Sequence, residues 1–207
     1  MSDKPQWLIR EDASVPVLVA LALRQSLGIR TPSDLPSLRD LPVRAPDAVD
    51  AAPLVESQWR DYWDMTVEPR AHHSGVPLEL VDGFDTLVAL PATGAEELTA
   101  AITPFAASAL DYARSAHDRY VSSLHGPSAG KPGTGGDSYR AYASAIAEFE
   151  REVGRRAHSF ELNVQVLPLS QRGIWWIGAL SVAVTDGLRR DVVAFDGAIR
   201  PIIAELA

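Results

Sequence analysis

The side chains most able to do chemistry are Glu68 and the adjacent pair His72 and His73, which follow two aspartates in the stretch 61–73. Imidazole nitrogens and carboxylate oxygens are the ligands with which proteins hold zinc and other divalent metals. A proline directly after Glu68 favours a loop over a continuous helix. Glu68, His72 and His73 are therefore candidate ligands of a divalent-metal site, although a solvated loop with ordinary caps and ion pairs is the first expectation.

A glycine-rich stretch at 126–136 matches parts of two catalytic motifs. Residues 126–130 have the letters G-x-S-x-G, the pattern that presents a nucleophilic serine on a sharp strand-to-helix turn. Because a long helix and not a strand is predicted before it, we interpret Ser128 as part of an inter-helix loop. Lys131 is followed by a proline, whereas a phosphate-binding P-loop requires Ser or Thr at that place. The sequence therefore predicts neither a serine nucleophile nor a nucleotide site here.

Two pairs of acidic residues have spacings suited to acid–base chemistry. Asp82 precedes a glycine and lies close to Asp85, so turn formation explains this pair better. Glu148 and Glu152 lie near several arginines of a predicted helix, which is typical of a solvated helix face. We predict no catalytic role for either pair.

The adjacent tryptophans Trp175 and Trp176 are a candidate site of another kind. Neighbouring residues of a strand point to opposite faces of a sheet, so one indole ring must lie on each face. One ring belongs to the core, while the other must be covered by the protein itself, line a ligand pocket or meet another chain. Cover within the protein is the first expectation, and Trp175 and Trp176 are the candidate interface or ligand residues.

Composition excludes several classes of function. The 207-residue chain has no cysteine, which rules out thiol nucleophiles, iron–sulfur clusters and cysteine zinc sites. Its net charge of −8, without a large basic cluster, disfavours nucleic acids and anionic membranes as partners. The longest apolar run, 15–23, is shorter than the roughly 20 residues of a membrane span. These features predict a cytoplasmic protein, and the scarcity of lysine relative to arginine indicates a bacterial origin.

Apolar spacing and capping residues mark the helices. The stretch 15–27 is apolar on nearly every face and ends at a glycine, which predicts a buried helix. Thr93 and Glu96 match a capping box that opens a long helix over 94–124, kinked or restarted at Pro104. Further helices are predicted over 56–66, over 138–156 with Asp137 as N-cap, and over 192–206, where a third strand at 192–195 is the alternative. The helices 94–124 and 138–156 are expected to form an antiparallel pair.

Strand patterns complete a predicted α+β fold. The segment 160–168 alternates apolar and polar residues, and 174–185 is apolar on both faces, so the two are predicted to form an antiparallel hairpin. Residues 84–90 are predicted as a buried strand. The proline-rich segment 31–53 should form an extended wrap, because prolines remove amide donors and restrict their neighbours. The expected fold is one domain, 1–207, with an antiparallel sheet packed by helices.

For function, these residues favour a binding or assembly protein over an enzyme. No catalytic motif fits its predicted context, whereas the two-faced tryptophan strand predicts self-association as a homodimer or another homo-oligomer. The alternative is a metal-dependent hydrolase or small-ligand enzyme that uses the loop with Glu68, His72 and His73. A divalent metal is the one cofactor suggested by the sequence.

Overall fold

The computed structural model describes residues 6–41, 51–68, 76–125 and 136–207. Within these ranges the chain has an α+β fold. Its strands are β1 (Trp7–Asp12), β2 (Leu78–Leu80), β3 (Ala89–Pro91), β4 (Phe160–Leu167), β5 (Ile174–Gly178) and β6 (Ser181–Thr185). Its helices are α1 (Val15–Leu27), α2 (Pro53–Val67), α3 (Glu96–Ile102), α4 (Ala106–His125), α5 (Gly136–Val153), α6 (Asp186–Arg189) and α7 (Val192–Leu206), with a 3₁₀ turn (Thr103–Phe105) between α3 and α4.

The main sheet is mixed, and its strand order among the described residues is β1–β4–β6–β5. β4 pairs parallel with both β1 and β6, whereas the edge strand β5 runs antiparallel to β6. The prediction of an antiparallel sheet with a hairpin between 160–168 and 174–185 is therefore wrong in its pairing. The segment 174–185 forms two strands, β5 and β6, with a turn after Gly178, so the antiparallel hairpin lies within this segment. β6 is buried along its whole length because it lies inside the sheet.

Helices cover both faces of the main sheet and divide the core into two clusters. The first cluster, called core A here, contains residues of α1 to α4 together with Leu167 and Ala183 of the sheet. The second cluster, core B, contains residues of α5 and α7 with alternate residues of β4 and β6. α4 packs against α1, and α5 packs against α7. The predicted pairing of the helices 94–124 and 138–156 is therefore wrong, because each packs mainly into a different core.

The helix predicted to open with a capping box begins later than expected. α3 starts at Glu96 with Ala95 as its N-cap, and no side chain caps it. The predicted capping role of Thr93 is therefore wrong. Gly94 adopts a φ of +84°, and its amide donates to the Glu96 carboxylate at 3.1 Å, so the acidic side chain closes the preceding turn instead.

Other helix predictions are largely confirmed. α1 has the predicted ends, since the glycine after Leu27 adopts a left-handed conformation and caps the helix. The restart predicted at Pro104 is confirmed by the 3₁₀ turn, and α7 confirms the C-terminal helix over the strand alternative. α5 begins at Gly136, one residue before the predicted N-cap position Asp137. In the described part of the chain, no helix is both long and apolar enough to cross a membrane.

The segment predicted as a strand over 84–90 is mostly turn. Only β3 is extended there, and it pairs with β2 in a small antiparallel sheet. Positive φ values of 85° at Gly83 and 53° at Asp85 bend the chain before β3. Phe84 is nevertheless fully buried. Its apolar side chain therefore indicates a core position and does not indicate a strand.

The proline-rich segment lies over core A as predicted where it is described. Leu35, Leu38 and Leu41 are buried anchors. Leu38 forms an isolated antiparallel bridge with Leu169 in the loop after β4. Residues 42–50 lie outside the described residues.

Candidate functional site

The residues predicted to bind metal are described only in part. Glu68 follows α2 directly, and its carboxylate accepts a hydrogen bond from the amide of Ala179 in the turn between β5 and β6. His72, His73 and Ser128 lie outside the described residues. Among the described residues, no three histidine, aspartate or glutamate side chains are grouped so that they could hold a metal ion. The metal site stays a prediction, and the contact that Glu68 makes in this structure is with the β5–β6 turn.

Trp175 and Trp176 lie on β5 and point to opposite faces of the sheet. Trp175 packs against core A and Trp176 against core B, and both are half-buried. Gly173 lets the Trp175 ring lie over the preceding loop, since a Cβ at that position would come within 2.8 Å of the ring. Each ring is thus partly covered by the chain itself. An interface or ligand role for the pair stays a prediction.

The opposite edge of the sheet, β1, is an exposed strand that the sequence analysis missed. β1 pairs with β4 on one side, and no described strand pairs with its other side. Trp7 is 37% exposed and Leu8 is 43% exposed. An edge strand with exposed apolar side chains and unpaired backbone groups is a template for pairing with another chain. β1 is therefore a candidate binding site for a further strand.

A partly buried ion pair fixes the carboxyl end of β1 to the helices of core B. Arg189 of α6 donates from Nε to Glu11 Oε1 at 2.6 Å and from Nη2 to Oε2 at 2.9 Å. The two side chains are only 15% and 17% exposed. Tyr142 of α5 donates its hydroxyl to Glu11 Oε1 at 2.5 Å, and the Arg189 guanidinium lies 4.8 Å from the ring centre of Phe195 in α7. Three helices therefore hold this end of the strand.

The environment of this network keeps its tyrosines protonated. Burial, and then the nearby Glu11 carboxylate, raises the pKa of Tyr142 far above its usual value. Burial, followed by Glu11 and Asp12, raises the pKa of Tyr120 in α4 to about 12. Burial alone would lower the pKa of Arg189, but the hydrogen bonds and charge of Glu11 reverse this and raise it. At neutral pH the network is a charged pair with neutral phenols around it, which suits an anchor better than an acid–base catalyst.

The amino end of β1 is held by separate contacts. The Trp7 indole donates from Nε1 to the carbonyl of His158 at 3.1 Å, and the amide of residue 6 donates to Ser159 Oγ at 3.0 Å. Arg10 pairs with Glu161 of β4 at 3.3 Å on the surface. β1 is thus fixed along its length while its outer edge stays exposed.

This combination of an exposed edge and a buried anchor defines the candidate site. No family model, curated protein or solved structure matches the chain. Functional inference therefore rests on the geometry of the chain itself. The sequence gives only a short indication of β1. Trp7, Leu8 and Ile9 suit a strand, but the three charged residues that follow them interrupt the alternation of apolar and polar residues by which a strand is recognised.

Proposed function

We propose that the protein is a non-enzymatic assembly protein that forms a symmetric dimer by antiparallel pairing of β1 with β1 of a second copy. The observation that carries the proposal is the exposed outer edge of β1, with Trp7 and Leu8 on a strand that three helices hold in place. Pairing would satisfy the outer backbone groups and remove the exposed edge. The acidic, cysteine-free composition supports a bacterial cytoplasmic location as part of this proposal.

The side chains of β1 select one register for such a dimer. Residues directly opposite each other in an antiparallel pair lie on the same face of the sheet. A twofold axis at Ile9 places Ile9 against its own copy and Leu8 against Arg10, so the arginine stem covers the leucine. A twofold axis at Arg10 would instead oppose two arginines, which is unfavourable. We therefore expect the axis at Ile9.

The same register places Trp7 of one copy opposite Glu11 of the other. The ring would cover the carboxylate that already binds Arg189, and it would shield this ion pair further from water. Two sheets would then be joined into one continuous sheet. The apolar area involved is modest, so we expect a dimer that forms at micromolar concentration and not an obligate one.

The test is a comparison of two substitutions of Leu8 with opposite charge. Leu8→Lys places a positive charge opposite Arg10 of the second copy, whereas Leu8→Glu places a negative charge there. Both remove the same apolar surface from an exposed position, so folding should be unaffected. We expect Leu8→Lys to raise the Kd of dimerisation at least about tenfold more than Leu8→Glu, because each contact occurs twice across the axis. Analytical ultracentrifugation over a concentration series measures both values.

Leu80→Lys is the matched control. Leu80 lies on β2, another strand with exposed leucines, and it is 58% exposed. The proposal predicts that this variant dimerises like the parent. A parent chain that stays monomeric at about 100 µM, well above the expected Kd, would overturn the proposal. Equal weakening by the two Leu8 variants would overturn the register, and dissociation by Leu80→Lys would overturn the choice of surface.

A further inference from the structure

A cavity of about 400 Å³ lies between the second half of α1, the segment 29–38 and the loop that follows β4. None of its lining residues belongs to β1 or to the network around Glu11. Pockets for small molecules have volumes of roughly 300–1,000 Å³. The cavity is therefore large enough for a small organic ligand, and it is independent of the proposed dimer contact.

A buried arginine forms one wall of this cavity. Arg24 is 8% exposed, and it lies among neutral backbone acceptors. Its guanidinium donates four hydrogen bonds, to the carbonyl oxygens of Thr31, Leu35, Arg30 and Pro32. An arginine has five N–H donors, so one Nη1 hydrogen has no acceptor among the described residues. The site thus holds a fixed positive charge with an unused donor.

No carboxylate of the described residues forms an ion pair with Arg24. Burial lowers the pKa of Arg24, and Asp34 acts in the opposite direction only through its charge. A buried cation surrounded by neutral acceptors gains strongly from an anion at contact distance. Arg30 also lines the cavity.

Three serines supply further polar groups around the same space. Ser33, Ser37 and Ser170 all line the cavity and are exposed, so their hydroxyls lie at its mouth. Hydroxyls of this kind donate readily to an oxyanion. The remaining wall contains the glutamines Gln25 and Gln171 and an apolar part that includes the buried Leu21 and Ile29. The cavity therefore combines a cationic, hydroxyl-bearing part with an apolar part.

We infer that this cavity binds a small aliphatic carboxylate, with its carboxylate at Arg24 and the serines and its carbon chain against Leu21 and Ile29. A carboxylate carries one negative charge, so it suffers less repulsion than a phosphate dianion from a chain of net charge −8. The two oxygens of the carboxylate would accept hydrogen bonds from the remaining N–H of Arg24 and from the serine hydroxyls. The apolar wall explains why an organic acid fits better than an inorganic anion.

The first test is titration of the full chain with sodium butanoate, followed by ¹H–¹⁵N NMR. Amide signals of residues 33–35, 37–38 and 170–171 should shift, and the neutral isostere butanamide should produce less than about a tenth of this effect, since it lacks the charge that Arg24 recognises. So small a ligand permits only weak binding, so the titration should extend to about 50 mM. No shift at that concentration, or an equal shift with butanamide, would overturn the inference. So would a response to sodium phosphate without one to butanoate.

The second test substitutes serines that line the cavity. Arg24 is left unchanged, because its four hydrogen bonds hold the segment 30–35 in place. Ser37→Ala and Ser170→Ala should each weaken butanoate binding about tenfold if their hydroxyls bond to the carboxylate. Ser122→Ala, on the exposed surface of α4, should leave binding unchanged. If both cavity variants bind butanoate as the parent does, the carboxylate does not lie at this place and the inference fails.

Discussion

The two edge strands of the main sheet, β5 and β1, make different contacts with the rest of the chain. At the β5 edge, the Glu68 carboxylate accepts from the Ala179 amide and the Ser181 hydroxyl donates to the Val67 carbonyl at 3.2 Å, so the end of α2 is bound to the β5–β6 turn. At the β1 edge, Trp7 is exposed and no described strand lies alongside. The end of α2 is therefore bound to the turn of one edge strand, whereas the outer side of β1 is the side to which we assign the proposed dimer contact.

The contacts that hold the two edges also differ in kind. β5 is secured by single hydrogen bonds to its turn, and Gly178 permits the close approach, since a Cβ there would lie 2.9 Å from the Glu68 Cγ. β1 is secured by a charged pair, Glu11 and Arg189, that is partly shielded from water. Loss of one partner of a buried pair is costly because the other charge stays buried. The two edges should therefore respond very differently to substitution.

The largest effect is expected at the β1 edge. Arg189→Met keeps an apolar stem over Phe195 but leaves the Glu11 carboxylate buried without its partner. We expect a loss of about 2 kcal/mol in the free energy of unfolding, less than for a fully buried pair because both side chains keep some exposure, measured by urea denaturation. Arg200→Met is the matched control, because Arg200 pairs with Asp196 and Glu148 on the surface, where such pairs contribute little. Similar losses in both variants would show that burial of the Glu11 pair is unimportant.

High pH should weaken the β1 edge through the tyrosines of the same network. An unfolded tyrosine ionises near pH 10, whereas Tyr142 and Tyr120 keep their protons to higher pH because burial and Glu11 raise their pKa, to about 12 for Tyr120. Above about pH 10 the unfolded state therefore binds fewer protons, and stability falls as the pH rises towards 12. Unfolding free energies between pH 8 and 11 should fall less steeply in Tyr142→Phe than in the parent. An unchanged slope would contradict this role of Tyr142.

Local structure followed from the residues more reliably than strand pairing did. α1 and β4 were predicted with nearly correct ends, because an apolar run before Gly28 and a strict alternation over 160–167 are complete within one segment. The pairing was wrong because proximity along the chain favoured a hairpin between neighbouring strands. β4 instead pairs parallel with β6 and with β1, and nothing in the spacing of 160–168 distinguishes these partners.

The candidate site at β1 could not be predicted from the sequence for a related reason. Glu11 and Arg189 are 178 positions apart, so no motif or spacing connects them. Each is an ordinary charged residue until the sheet brings the end of β1 against α6. At the other edge, Glu68 is recognisable in the sequence as a residue that could do chemistry. Its contact with the Ala179 amide is not predictable, because it depends on a turn within the segment 174–185, which the sequence pattern predicts as one continuous strand.

The smallest effect is expected at the β5 edge, and it tests that contact. Glu68→Ala removes the acceptor of the Ala179 amide and should lower the unfolding free energy by about 1 kcal/mol. Glu68→Gln keeps an oxygen acceptor and should lose less than half as much, measured by the same urea series. Equal losses would contradict the hydrogen-bonding role. A rise in melting temperature on adding zinc that both variants lose would instead support Glu68 as a metal ligand with His72 and His73.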